Sequence, residues 1–93
     1  MIERRLLEVG ERLRGLREEL RVVDEQLQVL NDAADETGLR ALVSETPLSA
    51  RDHREAQRHA DAMSRQRAEV AAAIRRLEVT QDELLDRLVA ESR

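Results

Sequence analysis

An unbroken apolar stripe in the first third of the chain constrains its fold most. The stripe steps alternately by four and three residues and contains no polar position: Ile2, Leu6, Val9, Leu13, Leu16, Leu20, Val23, Leu27, Leu30 and Ala34. A half-buried β-strand would alternate every second residue, whereas this step aligns side chains along one side of a slightly underwound α-helix. The stripe therefore predicts a long coiled-coil helix over residues 2–36.

A second stripe with the same spacing lies towards the C-terminus, in a segment without Pro or Gly. It consists of Ala56, Ala60, Met63, Arg67, Val70, Ile74, Leu77, Gln81, Leu84 and Leu88. Residues that face each other in an antiparallel pair have numbers with a constant sum, and a sum of 90 places every stripe residue opposite another, as for Leu13 and Leu77. The sequence predicts an all-α fold: one long antiparallel two-helix coiled-coil hairpin that forms a single domain over residues 1–93, with its second helix at 49–91.

The middle of the chain contains the signals for the turn. Gly38 suits the left-handed conformation that often ends a helix, so residues 37–48 are predicted to form a turn, with room for one short helix. Two alternatives for the start of the second helix stay open. Thr46 can cap a helix that has Pro47 in its first position, or a capping box can begin at Ser49.

Apolar residues outside the seam indicate self-association. A hairpin without Phe, Tyr or Trp has only a thin aliphatic core. The aliphatic residues left off the seam include Leu7, Val22, Val29, Leu85, Val89 and the 71–73 alanine patch. They predict a homodimer that forms a four-helix bundle. The alternative is that they are scattered surface aliphatics, which are common.

Four apolar residues around the turn are candidates for binding a partner. They are Leu39, Leu42, Val43 and Leu48, and the alternative is that they cap the seam. The leading functional hypothesis is a non-enzymatic protein–protein interaction module, a homodimer or an adaptor for another protein, that binds by helix-in-groove contacts.

Two polar residues interrupt the second stripe. Arg67 and Gln81 occupy seam positions, where a buried polar residue can fix register or oligomeric state. Alternatively, Arg67 reaches out to solvent along its aliphatic stem.

No catalytic, cofactor or metal site is predicted. The chain has no Cys, no Gly-rich phosphate loop and no recognisable nucleophile elbow. Asp52, Glu55 and His59 share one side of a helix, but neither His59 nor His53 follows a Glu by three residues, as a di-iron bundle would require. Adjacent surface charges are the preferred interpretation.

The charge and hydropathy pattern argues against nucleic acid and membrane. All 16 basic residues are Arg, but the 20 acids give a net charge of −4, unlike a dedicated nucleic-acid binder. The alternative is a contact through Arg58, Arg65, Arg75 and Arg76. No apolar run approaches the ~18 residues that cross a bilayer, and the N-terminus lacks a signal-type apolar region. A cytoplasmic protein is expected.

Acidic residues concentrate around the predicted turn. Residues 24–55 hold eight acids and three arginines, and Asp32, Asp35 and Glu36 are predicted to form an acidic tip. A hairpin with such a tip resembles the transcript-cleavage and stringent-response factors that enter the secondary channel of RNA polymerase. The resemblance implies carboxylates that approach the catalytic magnesium. The alternative function is therefore an RNA polymerase secondary-channel-type regulator.

Two further stretches carry a resemblance over the whole chain. Residues 39–48 (LRALVSETPL) and 58–63 (RHADAM) resemble small uncharacterised coiled-coil proteins of high-GC Gram-positive bacteria. This resemblance implies a helical hairpin and a bacterial cell, and it implies no activity.

Overall fold

The computed structural model describes residues 1–93 as two long α-helices. Helix α1 spans Ile2–Ser44 and helix α2 spans Pro47–Glu91, with only Glu45 and Thr46 between them. The predicted all-α helical hairpin is confirmed. Neither helix contains a stretch that is both apolar enough and long enough to span a bilayer.

Contacts within the hairpin group into two compact units. The first, which we call the terminal unit, combines residues 1–21 and 69–93, and the second, the apical unit, covers residues 22–68. Such grouping is natural in a helix pair, because each stretch of one helix contacts mainly the stretch opposite. The prediction of a single domain stays a prediction.

The core of the terminal unit is built from seam residues. Leu13 is its most buried large side chain, at 1% exposure. The other buried members are Ile2, Val9, Val70, Ile74 and Leu84, and half-buried Leu6, Leu16, Leu20, Leu77 and Leu88 pack against them. At the edge of the seam, Arg17 Nη2 lies 3.4 Å from Glu78 Oε2. The predicted stripe residues of both helices thus form this core.

The seam of the apical unit uses smaller side chains. Val23, Ala34 and Ala60 are buried there, at 2%, 5% and 2% exposure. The remaining seam aliphatics of this unit, Leu27, Leu30, Ala56 and Met63, are half-buried. Because an alanine methyl group extends only a short way from the backbone, these layers leave little space for a larger side chain.

The predicted end of the first helix near residue 36 is wrong. Helix α1 continues for eight more residues, to Ser44, and Gly38 does not adopt a positive φ. Instead, a Cβ at position 38 would lie 3.0 Å from His53 Cε1. Gly38 therefore provides space for the His53 side chain of α2. From the sequence alone, a glycine needed for such a close contact cannot be distinguished from a glycine that ends a helix.

The turn itself is formed by Glu45 and Thr46. Glu45 has a φ of 48°, in the left-handed region, and its N–H donates to the Ala41 carbonyl at 3.1 Å. Thr46 caps α2: its Oγ1 accepts from the Ser49 N–H at 3.1 Å, and Ser49 Oγ accepts from the Thr46 N–H at 3.2 Å. This reciprocal pair is a capping box, with Pro47 in the first helical position. Of the two alternatives, the structure has the one that starts with Thr46, and α2 begins at 47 rather than 49.

Replacing Gly15 by alanine is expected to stabilise the hairpin. A Cβ at Gly15 meets no atom within 4 Å, and alanine is favoured over glycine inside a helix by about 0.5–1 kcal/mol. Urea denaturation followed by far-UV circular dichroism measures the gain. Gly38→Ala is the matched control, since the same gain is opposed there by crowding against His53. An equal gain at both positions would contradict the contact between Gly38 and His53.

Candidate interaction surfaces

The connection between the helices carries a cluster of exposed apolar side chains. Leu39, Leu42, Val43 and Leu48 are 65%, 76%, 79% and 68% exposed, and we call them the apex cluster. Leu39, Leu42 and Val43 lie at i, i+3 and i+4 on one side of α1, and Leu48 is the second residue of α2. Exposure this high shows that they do not cap the seam, because a capping side chain would be covered by the opposite helix.

Two arginines close to the apex cluster form ion pairs with glutamates of their own helix. Arg40 Nη2 donates to Glu36 Oε1 at 2.7 Å, and Arg51 Nε donates to Glu55 Oε1 at 3.3 Å. Residues 24–55 contain only three arginines against eight acids. The surroundings of the cluster therefore keep an excess of negative charge.

The predicted acidic tip is not at the tip. Asp32, Asp35 and Glu36 lie within α1, and Glu36 is eight residues before its end at Ser44, or about 12 Å at 1.5 Å per residue. Asp32 accepts a hydrogen bond from Gln28 Nε2 at 3.0 Å. The prediction is wrong because it depended on α1 ending at residue 36. The longer helix places apolar side chains at the apex and these acids along its side.

The two polar seam residues are only partly covered. Arg67 Nε donates to a carboxylate oxygen of Asp24, and the two side chains are 43% and 46% exposed. Arg67 thus runs out of the seam to an ion pair at the surface, as the second interpretation proposed. Gln81 is half-buried, and no buried side-chain N or O atom lacks a hydrogen-bond partner. A role of Gln81 in register stays a prediction.

A shallow apolar groove runs along one side of the apical unit. Gln26, Val29, Leu30 and Met63 line it, and we call it the lateral groove. Val22 extends the same strip of α1, four residues before Gln26. Val29 is 67% exposed and Val22 is 38% exposed. No lining residue carries a charge.

Sequence reasoning identified Val22 and Val29 as apolar residues off the seam but did not join them to Leu30 and Met63. The signal that could have done so is the lack of charge at the positions that flank one side of the seam. Val22, Gln26, Val29 and Ala33 follow steps of four, three and four residues, without an acid or an arginine among them. A flank of a solvated coiled coil usually carries charges.

The two histidines have different surroundings. His53 is half-buried beside Gly38, with its Nδ1 3.4 Å from Thr37 Oγ1, whereas His59 is exposed. No group of three or more His, Asp or Glu side chains is close enough to hold a metal ion. The His53 contacts belong to the packing between α1 and α2.

The clearest electrostatic perturbation lies in the terminal unit. The Arg21 guanidinium donates to Glu18 Oε1 at 2.6 Å, and this hydrogen bond, with the attraction between the charges, lowers the pKa of Glu18 below its usual range. Both side chains are more than half exposed. Exposed pairs of this kind contribute little to stability, so Glu18 and Arg21 are part of an ordinary charged helix surface.

No protein-family model, no curated protein and no solved structure matches the chain. The apex cluster and the lateral groove are the two features from which a function can be inferred.

Proposed function

We propose that the chain is a non-enzymatic protein–protein interaction module: a cytoplasmic coiled-coil hairpin that forms a homodimer and binds another protein with its apex. The apex cluster is the observation that supports this most directly. It consists of four large aliphatic side chains, each about two-thirds exposed or more, at the connection of two capped helices. Three of them share one side of α1, and exposed apolar patches on a protein commonly mark an interaction site.

The spacing of the cluster supports a particular mode of binding. Leu39, Leu42 and Val43 are presented at i, i+3 and i+4, which is the anchor pattern of a helix that lies in the apolar groove of a partner. Full burial of one such aliphatic side chain contributes about 1.5–3 kcal/mol. The turn that follows is held by the capping box of Thr46 and Ser49. Binding would then require little ordering of the backbone, so less of the contact energy is lost.

The charge around the apex cluster defines the chemistry of the partner. Eight acids and three arginines in residues 24–55 favour an apolar groove with a basic rim. Complementary charge at the rim mainly accelerates association, and it is screened by salt. We therefore expect the association rate to fall as ionic strength rises, with a smaller effect on dissociation.

The apex is tested with a double variant, Leu42→Ala with Val43→Ala. Leu7→Ala with Val79→Ala is the matched control, because it also removes one exposed Leu and one exposed Val, at 71% and 56% exposure. Both variants should keep the wild-type circular dichroism, since all four side chains are largely in solvent. Each protein is first used to capture binding proteins from the native host. Any protein that is retained by wild type and control but not by the apex variant is then purified and titrated directly.

We expect the apex variant to bind the purified partner at least about tenfold more weakly than the control, which corresponds to about 1.4 kcal/mol. Two anchor residues of an interface commonly account for that much. Equal affinities for the two variants would contradict a docking role of the apex. So would the absence of any protein that binds wild type directly after purification.

A further inference from the structure

We propose that the homodimer forms through the lateral groove, with α1 of one copy beside α2 of the other and both apices at the same end. This inference rests on the proposed function as an interaction module. It assigns the lateral groove as the dimer surface, occupied by a second copy of the chain. The groove belongs wholly to the apical unit, residues 22–68.

The shape and polarity of the groove suit another helix. Val29 is 67% exposed and adjoins half-buried Leu30 and Met63, so apolar surface continues from the seam outwards. On the α2 side, Ala62 and Gln66 flank Met63 by helical spacing, and neither is charged. A second hairpin laid along this strip would extend the two-helix seam to a four-helix core.

The opposite side of the same unit is a poor alternative. It carries the ion pair of Asp24 and Arg67, whose side chains are 46% and 43% exposed. A copy that packed there would remove both charges from water, and the cost of that desolvation can exceed the attraction between them. The two sides of the unit therefore differ, because none of the residues that line the lateral groove carries a charge.

The charges beyond the groove select one of two symmetric arrangements. The outer surface of α1 carries Glu25 and Asp32, seven residues apart, and that of α2 carries Arg58 and Arg65, also seven apart. A two-fold axis parallel to the helices places α1 beside α2 of the other copy, so acids meet arginines. An axis perpendicular to the helices places α1 beside α1, so like charges meet and repel. Charge complementarity thus favours the parallel axis.

Sedimentation equilibrium at low micromolar concentration tests the surface. Wild type is expected to be a dimer, and Val29→Glu is expected to raise the dissociation constant at least about tenfold, because dimerisation would dehydrate a carboxylate in an apolar groove. Val79→Glu is the matched control, at 56% exposure on α2 in the terminal unit, and should leave the dimer intact. A monomeric wild type would overturn the proposal, and so would a Val29→Glu protein that dimerises as well as the control.

The charges are tested in the same assay. Arg58→Glu with Arg65→Glu should weaken the dimer about three- to tenfold at low salt and much less at high salt. Arg75→Glu with Arg76→Glu changes the net charge by the same amount, lies in the terminal unit, and should have the smaller effect. If the two pairs weakened dimerisation equally, complementarity at the groove would be refuted.

The orientation is tested by one spin label in each chain. The protein has no Cys, so Ser44→Cys gives a single label at the end of α1. With both apices at one end, the two labels should lie within about 30 Å, since neighbouring helix axes are 8–10 Å apart. With the perpendicular axis through the groove near Val29, they would be about 45 Å apart, twice the 15 residues from 29 to 44 at 1.5 Å each. The longer distance would overturn the arrangement.

Failure of this inference is distinguishable from failure of apex docking. Val29 is not part of the apex cluster, so a monomeric wild type that still binds the purified partner would remove the dimer surface and leave apex docking standing. The reverse result, a dimer with an inactive apex, would remove the docking role and leave the dimer surface standing.

Discussion

Replacing Leu13 by alanine is expected to lower the free energy of unfolding by about 2–5 kcal/mol, the range for a leucine removed from a packed core. Leu13 is only 1% exposed and belongs to the same cluster as Val70 and Ile74. The substitution removes three carbon atoms and leaves a cavity that the surrounding side chains can close only in part. Small domains have a total stability of about 5–15 kcal/mol, so this single change removes a large share of it.

Urea denaturation at one fixed protein concentration measures the effect of Leu13→Ala, because stability depends on concentration if the chain dimerises. Leu7→Ala is the control: it is the same substitution in the same helix, but Leu7 is 71% exposed. We expect the control to stay within about 0.5 kcal/mol of wild type. Similar losses at both positions would mean that the seam does not run through Leu13.

Replacing Ala60 by leucine is the second change with a large expected effect. Ala60 is 2% exposed in the seam of the apical unit, where the antiparallel register pairs it with Leu30. Three additional carbon atoms have no space there unless the helices move apart. Overpacking of this kind costs about 1–3 kcal/mol.

The control for Ala60→Leu is Ala68→Leu, because Ala68 is exposed on the same helix and in the same unit. Leucine and alanine have similar helix propensities, so the control should unfold near the wild-type urea concentration. An Ala60→Leu protein as stable as the control would show that the small seam residues of the apical unit do not set the distance between α1 and α2.

The seam was predictable because its pattern is long and redundant. Every one of the ten stripe positions on α1, from Ile2 to Ala34, is buried or half-buried, and so is every one on α2, from Ala56 to Leu88. A single substitution does not disturb a period that is repeated over five heptads. The matching order of the two stripes added the antiparallel pairing, because only one constant sum faces each apolar residue with another seam residue.

The apex was not predictable from the same signals. Gly38 has two physical explanations, a left-handed helix end and close approach of another side chain, and only the position of His53 distinguishes them. The residue that does adopt the left-handed conformation is Glu45, and nothing in its type indicates that. The prediction that Asp32, Asp35 and Glu36 form the tip depended on α1 ending before Gly38. Because α1 continues to Ser44, these three residues lie within the helix and not at the turn.

The lateral groove was within reach of sequence reasoning. Its residues occupy the helix positions that flank the seam. At those positions, a run without charged residues indicates a surface that can be buried, just as an apolar run does. The pairing of Arg67 with Asp24 was harder to foresee, because a long side chain in the seam can leave on either side. The direction that Arg67 takes determines which side of the apical unit is charged and which side is open to a second copy.

The two-residue connection at Glu45 and Thr46 has a consequence for how the helices can slide. Moving α2 along α1 by one heptad means a shift of about 10 Å, whereas two extended residues span at most about 7 Å. Such a shift could occur only if a turn of helix unwound near the apex. The short connection therefore resists sliding of α2 along α1 in the apical unit.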